Sequence, residues 1–540
     1  MMVWFLLNLP CPQEEDVIAK FLAEILGWLL RHANECIPAS SSPSHRQTSH
    51  WLLDIARPRA MVLEVDESGH RLPLPPWYTQ LVHPRFTCPI WFVSTGTGFH
   101  NAYPPTQTLP LTDRGHHLFP GPIVRIAPDE VNVTDIDAVK TIYSVKDTFL
   151  KSGFYRRIVP PESIFSTANI DFHRRHRRLL AGPLTETSLK KMIPAIRTIS
   201  DLVVQRMGEE MKVRGAADVF KWATFMATDT IAQLTFGDSF HMVELGRKTE
   251  YALELQNVSS VAALRSTFPG LTRLAFKLPF QLPIFQRAVK GSSNIKRYCT
   301  ESLDRYRQLL DADPGMAHKT LLAKAFEAEQ EDNLPFHEVI ADAQTYIVAG
   351  SGSTANTLAF LIWAVCRNPY IRDRLVKELA SLPPDYQESQ LRELPYLGQV
   401  VEETLRLYGG AQAGLPRTVP PGGAELAGFC LDQGTVVSTQ AYSLHRDAII
   451  FPDPFVFDPS RWENPTQAMK DAFMPFGRGS RSCIGLHLAQ IEIRLAAARF
   501  FLTFPEAKPS SLEGMSDQDM VPAIYFTTVP AGNRCLIQAA

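Results

Sequence analysis

From about Gly121 onward, apolar positions recur three and four residues apart, the spacing that lines one face of a helix. Segments near 135–146, 171–181, 187–213, 217–236, 292–311, 336–367, 369–381, 395–407 and 485–504 carry this pattern. Short runs at 123–126, 434–439 and 523–529 read instead as strands. The pattern predicts a predominantly α fold with a small β component (α+β), built on one large core. Segment 336–367 carries Gly350 and Gly352 in its middle. Each glycine costs a helix on the order of 1 kcal/mol, so a bulge that opens a groove is expected there, with a close helix–helix contact as the alternative.

The first part of the chain follows no such rule. Residues 17–32 place Ile18, Phe21, Leu22, Ile25, Leu26 and Leu29 on one helical face, which suits either a surface helix or an interfacial membrane helix. Lys20 and Glu24 interrupt it, and the run falls short of the roughly 20 apolar residues that span a bilayer. No other stretch reads as spanning. Residues 1–9 lack a preceding Lys or Arg, so a cleaved secretory signal is not expected. Fifteen of the 41 prolines fall within residues 1–125, and Cys88–Pro120 has neither periodicity. The chain therefore divides into a poorly determined N-terminal region, 1–115, and a regularly patterned region, 116–540.

Composition narrows the function. The 540 residues hold 54 Lys+Arg against 56 Asp+Glu, a formal net charge of -2, which argues against a nucleic-acid binder. With 45% hydrophobic and 20% charged residues the chain is not disordered. Its eight cysteines include no C-x-x-C pair, which excludes a disulfide framework or zinc ribbon and leaves most of them expected as reduced and buried.

One cysteine carries chemistry. Phe476–Gly–Arg–Gly479–Ser–Arg481–Ser–Cys483–Ile–Gly485 is a glycine-punctuated loop followed directly by a helical pattern. A helix N-terminus favours a thiolate, and Arg478 and Arg481 are expected to push the same way. Gly479 and Gly485 allow a sharp turn and close approach to a flat partner. A lone thiolate suits axial ligation of a haem iron. Five fixed positions at these intervals arise by chance about 10⁻⁴ times in such a chain.

The segment F-x-x-G-x-R-x-C-x-G resembles the haem-binding signature of the cytochrome P-450 superfamily, the haem-thiolate monooxygenases. The resemblance implies that Cys483 is the proximal iron ligand, that Arg481 meets a haem propionate and that Phe476 packs beside the ligand loop. It also implies a buried network of Glu403 and Arg406, three apart on a helix, with Arg461 from Phe457–Asp–Pro459–Ser–Arg461–Trp462 as its third member; Ser460 stands where the family has glutamate. Within His173–Arg174–Arg175–His176–Arg177–Arg178, His173 and Arg177 match a propionate-binding pair, and Arg417 matches another. A solvated basic face is the alternative for that run. The family's A-G-x-acid-Thr pattern, which delivers protons to iron-bound oxygen, appears as Ala349–Gly–Ser–Gly352–Ser353, with Thr354 adjacent. A hydroxyl is present and the carboxylate is not.

Gly121–Pro–Ile–Val–Arg–Ile–Ala–Pro128 is similar to the first sheet segment of fungal members of secondary-metabolite pathways, and Leu72–Pro–Leu–Pro–Pro–Trp–Tyr78 to their hinge; residues 83–119 do not resemble the helix that those members place after the hinge. The resemblance implies haem as cofactor and NADPH acting through a reductase. It implies insertion of one oxygen from O2 into a bulky apolar molecule, with the chain at the cytosolic face of the endoplasmic reticulum through peripheral membrane contact, or else cytoplasmic. Desaturation, oxidative coupling or rearrangement on the same haem is the second expectation, and a catalytically silent haem protein the third.

Overall fold

A computed structural model describes residues 121–539, apart from residue 147, short breaks within 251–282, and residues 313–319 and 332–333. The expectations for residues 17–32, 72–78 and 83–119 lie outside the described residues, as do Cys11, Cys36 and Cys88.

The described chain is mainly helical, with four small sheets. It opens with strands β1 (Ile123–Ala127) and β2 (Glu130–Val133) and helix α1 (Ile136–Ile142), whose first turn is capped by the Asp135 carboxylate on the Ala138 amide at 2.8 Å. The two-residue strand β3 (Leu150–Lys151) follows, then α2 (Ile170–Ala181), capped by Asn169. The segment read as 187–213 divides into Glu186–Leu189 and α3 (Ile193–Arg214), because Pro194 lacks an amide hydrogen and is tolerated only in a helix's first turn. Then come α4 (Val219–Phe236), α5 (Pro283–Ala312), α6 (Phe336–Arg367), α7 (Pro395–Tyr408), strands β4 (Arg417–Thr418) and β5 (Val436–Ser438), and α8 (Leu486–Thr503). The last strand pattern resolves into a hairpin, β6 (Pro522–Ile524) and β7 (Thr528–Pro530).

Helix α6 runs through the core. Every side chain from Thr354 to Cys366 is buried, which explains why an 18-residue window of it is apolar enough to cross a membrane while most of that window lies inside the protein. It packs against α4, α7 and α8 with Met226, Ile231, Leu358, Phe360, Val400, Leu405, Leu495 and Phe500 among the core residues. A second cluster (Val131, Val133, Ile142, Val437 and Met474 among others) lies under the largest sheet. That sheet has the order β1-β2-β5-β4-β3, with β2 and β5 parallel and the other neighbours antiparallel. Its last pairing sets Lys151 opposite Arg417.

The bulge expected at Gly350–Gly352 does not form; α6 is helical throughout. The two glycines serve different ends. A Cβ on Gly350 would lie 2.7 Å from Ile231 Cγ1, so this glycine lets α4 and α6 approach closely. A Cβ on Gly352 would meet nothing within 4 Å. The same substitution should therefore have opposite effects at the two positions. In urea unfolding, Gly350→Ala is expected to lower stability by about 1–3 kcal/mol through overpacking, and Gly352→Ala to raise it by up to about 1 kcal/mol through helix propensity. Equal effects would contradict this packing.

Candidate active site

The Phe476–Gly485 loop is held by its own backbone. The Cys483 amide donates to the Phe476 carbonyl at 2.9 Å, and the Ser482 amide to Gly479 at 3.1 Å. Gly479 adopts φ +68°, and a Cβ there would collide with the carbonyl oxygens of Tyr143 and Ser144, so no other residue fits the turn. Gly485 has φ −86° and needs no left-handed backbone; its role is closeness, since a Cβ would sit 3.8 Å from the Cys483 sulfur. Phe476 packs on the main core beside the loop.

The Cys483 thiol is pushed above its ordinary range. Burial is the largest cause; the Gly485 amide, the Arg177 guanidinium and the Leu486 amide act against it. This corrects the expectation that Arg478 and Arg481 favour a thiolate. Arg478 turns instead to Asp471, donating to its carbonyl and lying 4.0 Å from its carboxylate. Protein alone leaves this thiol protonated, whereas a coordinated metal deprotonates a thiol outright. Cys483 still presents surface although it lies deep in the protein, as a side chain facing an internal space does. Cys299, Cys366 and Cys535 are buried as expected; Cys430 is exposed on a hairpin.

Cations gather beside the loop. Arg177, on α2, donates to the Ser482 carbonyl at 2.8 Å and to the Ser482 hydroxyl at 3.2 Å. His173 is buried one turn earlier on the same helix, while Arg174 and Arg178 are exposed, so the basic run has one inward and one solvated face. Arg481 donates to the Thr167 carbonyl at 3.3 Å. Arg417 is buried, its guanidinium lies 5.4 Å from the Tyr143 ring, and its Nε has no hydrogen-bond partner. A thiol facing an internal space beside several guanidinium groups, with the buried Arg417 Nε left without a hydrogen-bond partner, fits an iron porphyrin with two carboxylates.

Glu403 and Arg406, both fully buried, form a two-point pair with 2.8 Å bonds. Arg461 joins Glu403 at 3.0 Å. Trp462, which sequence reasoning did not single out, donates its indole N–H to the same carboxylate at 3.0 Å. Arg406 also donates to the carbonyls of His445, Pro454 and Val456. His445 carries the connection onward: its Nδ1 lies 3.0 Å from the Arg406 carbonyl, and its Nε2 accepts the Met474 amide at 3.0 Å, two residues before Phe476. Burial lowers its pKa from 6.5 to about 3, and this geometry requires the neutral ring.

On α6, the Ser353 hydroxyl donates to the Ala349 carbonyl at 2.9 Å, and Thr354 is buried. Sequence reasoning missed a clamp between α2 and α6. His176, fully buried, lies 2.6 Å from an Asp342 oxygen and 2.9 Å from a Glu338 oxygen. Arg175 donates to Glu338 at 2.6 Å, and the Phe172 ring stacks on His176 at 3.9 Å. The signal lay in two acids four residues apart on the apolar pattern of 336–367.

Residues 111–531 match the family model described as "Cytochrome P450". The chain is 45% identical to cytochrome P450 monooxygenase tazI of Aspergillus terreus over 78% of its own length and 86% of that protein. It is 39% identical to cytochrome P450 monooxygenase azaI of Aspergillus niger over 78% and 94%. It is 32% identical to cytochrome P450 monooxygenase stcB of Emericella nidulans over 86% and 87%.

The neutral His445 predicts an acid-sensitive loop. Unfolded, its imidazole titrates near 6.5; folded, near 3. The stability it contributes is complete above pH 6.5 and is lost as the pH falls towards 3. Urea unfolding should show the gap between wild type and His445→Gln narrowing by more than about 1 kcal/mol across that window. A gap independent of pH would contradict the neutral bridge.

Proposed function

The chain belongs to the cytochrome P450 family and is a haem-thiolate monooxygenase, and from that premise we propose which residues do the work and on what. The observation that carries the reading is the Cys483 thiol, turned toward an internal space in a glycine loop, beside the half-buried Arg177 and Arg481 and the buried Arg417.

In this reading Cys483 holds the iron, and Arg177, Arg417, Arg481 and His173 hold the two haem carboxylates by charge-assisted hydrogen bonds. Phe476 shields the sulfur side. Glu403, Arg406 and Arg461 fix the chain that leads to the loop. When bound, the haem supplies dioxygen binding and O–O cleavage, favoured by electron density from the thiolate. The Thr354 hydroxyl, with that of Ser353 once it leaves the Ala349 carbonyl, would hold and pass protons. With Gly352 in place of an acid, water carries the rest of that relay. The open space above Gly352 supports this assignment.

The reaction is insertion of one oxygen atom into a bulky apolar small molecule of fungal secondary metabolism. NADPH supplies electrons through its cytochrome reductase, at the cytosolic face of the endoplasmic reticulum, with peripheral membrane contact. The fungal sources of its monooxygenase relatives support the fungal setting and the oxygen insertion in this reading.

The test supplies membranes holding the chain and a fungal reductase with NADPH, ¹⁸O2 and a panel of apolar polyketides, terpenoids and indole alkaloids. One member is expected to consume NADPH and gain one ¹⁸O atom. NADPH use with an unlabelled product would mean desaturation, coupling or rearrangement. Haem uptake with no substrate-dependent NADPH use across the panel would contradict the proposed substrate class.

A further inference from the structure

On α2, one residue before Arg177, His176 turns to α6. It is fully buried, and both of its ring nitrogens are engaged: Nδ1 lies 2.6 Å from an Asp342 oxygen and Nε2 lies 2.9 Å from a Glu338 oxygen. The Phe172 ring lies flat against it, the two planes 12° apart. An ionised carboxylate can only accept, so these two bonds need two protons shared among three groups. Either an imidazolium stands between two carboxylates, or a neutral ring stands between a carboxylate and a carboxylic acid. Both arrangements grip the imidazole from two sides, and the stacked phenyl ring keeps it in plane. One turn further along both helices, the Tyr346 hydroxyl of α6 donates to the Leu180 carbonyl of α2 at 2.7 Å. Two successive turns of α2 are thus bonded to two successive turns of α6.

The neighbouring residue shows what this fixed geometry serves. Arg177 leaves α2 about 100° around the helix from His176. It makes two bonds to one residue of the cysteine loop, 2.8 Å to the Ser482 carbonyl and 3.2 Å to the Ser482 hydroxyl. Ser482 directly precedes Cys483. A roll of α2 about its own axis would carry the guanidinium off Ser482, and a two-point contact is the kind that depends most on direction. Asp342 and Glu338, holding the ring on α6, oppose that roll.

We propose that His176 is a positioning residue for the Cys483 loop: held by Asp342 and Glu338, it sets the rotation of α2 and through it the grip of Arg177 on Ser482. The inference rests on the haem reading of Cys483. An apolar contact of similar volume could hold two helices together as firmly; the doubly bonded ring adds a fixed direction. The path from Asp342 through His176 and Arg177 to Ser482 keeps α6, which carries Ser353 and Thr354, in register with the loop that carries the sulfur.

The test follows the reduced, carbon-monoxide-saturated protein in urea below the unfolding range. The readout is the rate at which the red-shifted Soret band passes to the ordinary position, with far-UV circular dichroism reporting the helices. His176→Phe keeps a ring against Phe172 and removes both bonds, and Asp342→Leu removes one bond from the α6 side. Each should speed loss of the band by about tenfold or more while the helix signal holds. Asp342→Asn, whose amide oxygen still accepts from Nδ1, should stay near wild type. In an Arg177→Lys background, which already lacks the two-point grip, His176→Phe should add little, because residues acting on one path are not additive. Wild-type rates in His176→Phe and Asp342→Leu would overturn the proposal. Full additivity with Arg177→Lys would also overturn it, as would a band loss that only tracks loss of helix, since either marks general loosening. Wild type without a red-shifted band overturns the haem reading instead.

Discussion

Glu403 and Arg406 are completely buried, and an ion pair in that position is tolerated only when all its hydrogen-bonding capacity is used. Here it is. One Glu403 oxygen accepts from Arg406, Arg461 and the Asp458 amide, and the other from Arg406 and the Trp462 indole. Removing either partner would strand a charge at a cost of about 3–5 kcal/mol. The pair therefore dictates the path of residues 445–462 around α7. His445 passes that order to Met474, and the cysteine loop begins two residues later at Phe476. Where the sulfur sits is decided by a carboxylate far away in sequence.

The site itself is set by opposing demands. Burial keeps the Cys483 thiol protonated, and the loop's amides and Arg177 offset this only in part. The neighbouring arginines are drawn in from α2, β4 and the loop, and Arg417 keeps an unused buried donor. One dianionic group carrying a metal answers both demands. On α6, Gly350 brings the helix against Ile231 while a Cβ on Gly352 would meet open space, both within an unbroken helix.

The helix-rich fold was legible because α6, α4 and α8 carry long apolar patterns that end near their observed boundaries. The loop was legible because one short segment holds glycines, arginine and cysteine at fixed intervals. What escaped depended on distance or environment. The His176 clamp joins residues 162 and 166 positions apart. The direction of the Cys483 shift turned on burial, which outweighs neighbouring charge and is invisible in a linear chain. The bulge expectation failed because a glycine in a helix signals either a break or a close contact, and Ile231, the residue that decides, lies on another helix.

The central claim is that Cys483 ligates a haem iron. The absorption spectrum of the purified, reduced, carbon-monoxide-saturated protein tests it most directly, beside that of Cys483→Ala. A strongly red-shifted Soret band in the wild type, lost in the variant, is the predicted result. A Soret band at the position of histidine-ligated haem, or no haem band in folded wild-type protein, would contradict it.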